Sequence, residues 1–70
     1  MLKAPQFMTR YANWKIDQLE MIKKTSDNPI SYNLWKDGIA KINDAIWMYQ
    51  QGFLTIEETM TAICAVEIRL

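Results

Sequence analysis

Trp35, Ile39, Ile42, Ile46 and Tyr49 recur at alternating steps of four and three residues. This is the period of an α-helix whose apolar seam packs lengthwise on another helix, as in a bundle or a short coiled coil. A strand, whose faces alternate every second residue, does not carry it. The seam keeps its phase across Gly38. One helix is therefore predicted over about 29–51, although a glycine inside it costs about 1 kcal/mol relative to alanine. The competing reading is a turn at Asp37-Gly38 between two shorter helices. In the continuous reading Gly38 marks a close helix crossing.

Two punctuation points bound this segment. Thr25-Ser26-Asp27-Asn28-Pro29 offers Asn28 as a cap and Pro29 as the first helical residue, where a missing N–H costs nothing. Gly52 is placed to cap the other end in the left-handed conformation. Upstream, a helix is predicted over 6–24 with Pro5 at its start. Its apolar arc is broad, about 200° at 100° per residue. Phe7, Tyr11, Trp14 and Met21 lie near one line, and Met8, Ala12, Ile16, Leu19 and Ile22 continue sideways. Lys15 and Lys23 fall inside that arc. A helix with one neighbour needs only about half this width, so the first helix should meet two elements, or one element and a partner chain.

Downstream, Thr55-Ile56-Glu57-Glu58 is a capping box, in which the Thr55 hydroxyl and the Glu58 carboxylate satisfy each other's backbone N–H groups. The third helix is predicted over 56–69, with a spine of Ile56, Met60, Ile63 and Leu70. Val66, Ile68 and Leu70 alternate with more polar residues, so the last six positions could equally be extended. The expected fold is all-α: one domain, an antiparallel helical hairpin with a third, C-terminal helix.

Composition limits what such a domain can do. The chain has 70 residues, half of them apolar, with eight basic and eight acidic side chains, no His and one Cys. A domain this small hides only about 60% of its unfolded surface, and association is a common remedy. An internal disulfide is impossible with Cys64 alone, and no zinc site is expected. No cofactor is implied. Without His, the usual base for a Ser, Thr or Cys nucleophile is missing. Cys64 sits in the apolar run Ala62–Val66, where a buried and inert thiol is expected. The reading is therefore that the chain is not an enzyme. The opening residues 1–7 lack the apolar run of a signal peptide and no stretch approaches a membrane span, so a cytoplasmic location is expected.

Net neutrality leaves no cationic excess to drive phosphate binding. The charges are nevertheless uneven: residues 1–24 carry +3, residues 25–52 carry −1 and residues 53–70 carry −2. A helix-turn-helix around Gly52 would make the chain a small DNA-binding transcriptional regulator. That alternative places two glutamates at the start of the recognition helix, where phosphate would repel them. Attraction between the basic first helix and the acidic last one is the simpler use of the asymmetry.

Three Trp, three Tyr, two Phe and five Met exceed what a three-helix core of this size can bury. Aromatic residues and Met are enriched at protein interfaces. Phe7, Tyr11, Trp14, Trp35, Trp47 and Met48 are the expected anchors for a protein partner or a homodimer. The function expected is that of a small regulatory or inhibitory protein, of a kind suited to a bacterium or phage. It would act by occluding or bridging its target.

Overall fold

The computed structural model describes residues 2–25 and 29–68, in three helices: α1 (Gln6–Thr25), α2 (Pro29–Gln50) and α3 (Ile56–Ala65). The proposed Asn28 cap lies outside the described residues, as does Leu70. The helix starts follow the local signals closely. Pro5 precedes α1, and its carbonyl accepts from the N–H groups of Met8 and Thr9. Pro29 opens α2. Thr55 caps α3 with both halves of the capping box formed, each at 3.1 Å.

α2 runs unbroken through Gly38 and ends at Gln50. Beyond it, Gly52 has φ +85°. The Gly52 N–H donates to the Tyr49 carbonyl and the Phe53 N–H to the Met48 carbonyl, the paired bonds of a Schellman ending. The hydrophobic contact that accompanies such an ending is supplied by Trp47 and Phe53, with ring centroids 6.2 Å apart.

α1 and α2 form an antiparallel hairpin: the Leu2 N–H, just before α1, donates to the Gln50 carbonyl at the end of α2. α3 folds back along α2, so α1 packs on α2 and α2 on α3. The core joins Met8, Ala12 and Leu19 of α1, Ile42 and Ala45 of α2, Ile63 of α3 and Val66 just beyond it. Thr59 is also fully buried, its hydroxyl donating to the Thr55 carbonyl at 2.8 Å. This core centres on Gly38, Ile42 and Ala45, with Trp35, Ile39, Ile46 and Tyr49 flanking it at intermediate exposure.

Gly38 is the close crossing that the seam implied. A Cβ added there would lie 2.8 Å from Leu19 Cδ1 and 3.1 Å from Val66 Cγ1. Two elements press on one backbone site, and only hydrogen fits.

The third helix is shorter than its periodicity predicted, ending at Ala65 rather than 69. Val66 is extended (φ −69°, ψ 117°) and its side chain turns into the core. The Lys15 ammonium donates to the carbonyls of Ile63 and Cys64 at this end, the Ile63 carbonyl also accepting from the Val66 N–H. The expected buried role for Cys64 is also overturned: Ile63 points inward and Cys64 is exposed. Ten residues of α3 reach about 15 Å along an α2 of about 33 Å. The far end of the hairpin therefore consists of two helices. No described helix is long and apolar enough to cross a membrane.

Candidate functional surface

The broad arc of α1 divides into two parallel seams. Met8, Ala12, Lys15, Leu19 and Ile22 face inward. Displaced by one residue, Phe7, Tyr11, Trp14 and Met21 form the outer seam. Phe7, Trp14 and Met21 stay 56%, 53% and 57% exposed, whereas Tyr11 is half-buried between the seams. Three half-exposed side chains of this size leave on the order of 300 Å² of apolar area in one line. A patch of that extent is often functional in a monomeric protein.

The middle of this line is held rigid. Lys15 is 5% exposed and its Nζ donates to the carbonyls of Ile63 (2.8 Å) and Cys64 (3.0 Å). The same ammonium lies 5.6 Å from the centroid of the Tyr11 ring, within cation–π range. Tyr11 is tied to α3 by the Cys64 thiol, which donates to its hydroxyl at 3.5 Å. The Tyr11 ring in turn stacks on Trp14, centroids 5.9 Å apart and planes 14° from parallel. Each contact restrains the next, so the Trp14 ring is positioned before any partner arrives. Beside it a shallow groove runs between Tyr11 and Trp14 of α1 and residues 66–68 after α3.

Chemically the arrangement offers little beyond contact. The Tyr11 hydroxyl is shifted above its ordinary value of 10.0, first by its hydrogen bond with Cys64, then by burial and by the repulsion of a charged thiol. That makes phenolate less accessible. Among the described residues, no group of three His, Cys, Asp or Glu side chains is placed to hold a metal ion.

The remaining candidates lie elsewhere. Trp47 is 55% exposed and rests on Phe53, itself exposed, while Met48 is at the margin of exposure. Trp35 is at the two-helix end, half-buried against the core, with the Lys23 ammonium 4.0 Å above its ring and Tyr32 at 5.5 Å. Its indole N–H is buried without an acceptor. The structure thus unites Phe7, Tyr11 and Trp14 in one surface and leaves Trp35 and the Trp47–Met48 pair apart from it. Two contributors were missed from sequence. Lys15 had a signal, a lysine inside an apolar arc; Cys64 had none, because its neighbours suggested burial.

Compared with protein-family models, curated proteins and solved structures, the chain matches none.

Proposed function

We propose that this chain is a non-catalytic protein-binding module that works through the outer seam of α1, regulating or inhibiting a cytoplasmic target by occlusion or bridging. The observation that carries this reading is the exposed line Phe7–Trp14–Met21 with its central ring held in place by Tyr11. Large apolar side chains left in water gain when a partner covers them, and a ring already fixed loses little further entropy on binding.

A DNA-binding role has less support. Lys15 is buried and occupied by α3 carbonyls, so it is not available to phosphate. Glu57 and Glu58 fill the first turn of α3, the end that a recognition helix would present.

The test is site-specific photo-cross-linking in the native host, with the reactive group at position 14 and, as control, at Lys41, which is exposed on α2 between Asp37 and Asp44. Adducts with protein, whether a second copy or another chain, should form from position 14 only. No adducts, or equal yields at the two sites, would overturn the proposal.

A further inference from the structure

The exposed seam of α1 is symmetric about its middle residue. Phe7 and Met21 each lie seven positions from Trp14, about 10.5 Å along the axis on either side. All three are about half exposed. A seven-residue repeat drifts by only about 20° per step around a straight helix, so the line stays on one face and favours a left-handed crossing with a similar helix.

The charges beside the seam select the orientation. Arg10 and Asp17, both exposed, share one flank, seven residues apart. If a second copy lies antiparallel, with its Trp14 against Trp14, Phe7 meets the partner copy's Met21. Arg10 then meets the partner copy's Asp17, and the two-fold axis repeats that pair. In a parallel alignment this flank would face the partner copy's opposite flank, where Tyr11 and Gln18 carry no charge, and neither pair would form. Flanking charges of this kind set helix orientation in paired helices. Lys3 and Lys24, which would be the next pair on this flank, do not meet. The chain before α1 is drawn away toward α2 by the bond between the Leu2 N–H and the Gln50 carbonyl.

We infer that the occupant of this face is a second copy of the same chain, docked antiparallel across a two-fold axis at Trp14. The inference rests on the protein-binding reading above and names the partner within it. The apolar line is small beside the roughly 800 Å² per partner of a standard interface. Dimerisation on so small a face is therefore weak and concentration-dependent.

Sedimentation over micromolar to submillimolar concentrations should show a monomer–dimer equilibrium. Trp14→Ser should abolish it while far-ultraviolet dichroism and the melting curve show that the fold persists. Arg10→Asp should weaken association roughly 3- to 10-fold, and adding Asp17→Arg to the same chain should restore it. Orientation is read by disulfide trapping in a Cys64→Ser background. Phe7→Cys and Met21→Cys should couple only when mixed. Self-coupling of Phe7→Cys and of Met21→Cys, or a double charge swap that fails to restore association, would overturn the antiparallel dimer. A monomer at every concentration would also overturn it, yet leave the protein-binding reading standing if position 14 still cross-links to another chain. Absence of both would remove both.

Discussion

The Lys15 ammonium donates to the Ile63 carbonyl at 2.8 Å, joining the middle of α1 to the last turn of α3. Helix C-termini leave carbonyls without internal partners, and a cation there also suits the negative end of the dipole. Lys15 is buried, so its charge is tolerated because these carbonyls receive it. Lys15→Met should keep the packing of the stem but leave the Cys64 carbonyl without this donor. A loss of about 1–3 kcal/mol is expected in urea unfolding. Hydrogen exchange should quicken most in the final turn of α3, and equal quickening along α1 would contradict the capping role.

Gly38→Ala sets two effects against each other. Alanine is worth about 1 kcal/mol over glycine inside a helix. Here its methyl would meet Leu19, which is fully buried, and Val66. Overpacking of this kind costs about 1–3 kcal/mol. The expected outcome is no gain or a fall in Tm, with scanning calorimetry as the measure. A rise of several degrees would mean that the crossing is looser than the 2.8 Å separation implies.

Gly52→Ala tests the end of α2 without touching the core, since nothing lies within 4 Å of the added Cβ. Only the backbone conformation at φ +85° opposes it. A side chain in that region costs about 1–2 kcal/mol. A loss of that size in denaturant is expected. No loss at all would show that the chain leaves α2 by another route.

Tyr11 should titrate above its ordinary value of 10.0 when followed by ultraviolet absorbance, and Cys64→Ala should bring it back toward that value. The hydrogen bond with Cys64 favours the protonated phenol, and losing that proton would place negative charge beside the Cys64 sulfur. Because the folded value is raised, the unfolded chain gives up this proton first. The stabilisation is therefore complete below about pH 10 and declines as pH rises from there. An unchanged titration in Cys64→Ala would dismiss the thiol as its main cause.

The helices themselves were legible in the sequence because their signals are local. The four-three seam of α2, the Thr55–Glu58 capping box and the left-handed Gly52 each depend on residues within a few positions of one another. The structure shows the capping box and the left-handed glycine as read, and α2 as one helix, although its buried face centres on Gly38, Ile42 and Ala45, with Trp35, Ile39, Ile46 and Tyr49 only flanking it. The continuity of α2 through Gly38 was legible for the same reason, its phase being a property of one segment.

Tertiary structure alone decided what the long arc of α1 does. Both of its seams are mainly apolar, interrupted by Lys15 in one and Gln18 in the other, and the sequence supplies no reason to bury Met8 and Leu19 while leaving Phe7, Trp14 and Met21 in water. That choice follows from where α2 and α3 lie. Lys15 can be buried only because α3 ends beside it and offers two carbonyls. The early end of α3 leaves Cys64 facing outward and lets Val66 enter the space that Gly38 keeps open. Contacts between residues nearly fifty positions apart have no local pattern, because chain separation does not encode the geometry that brings them together.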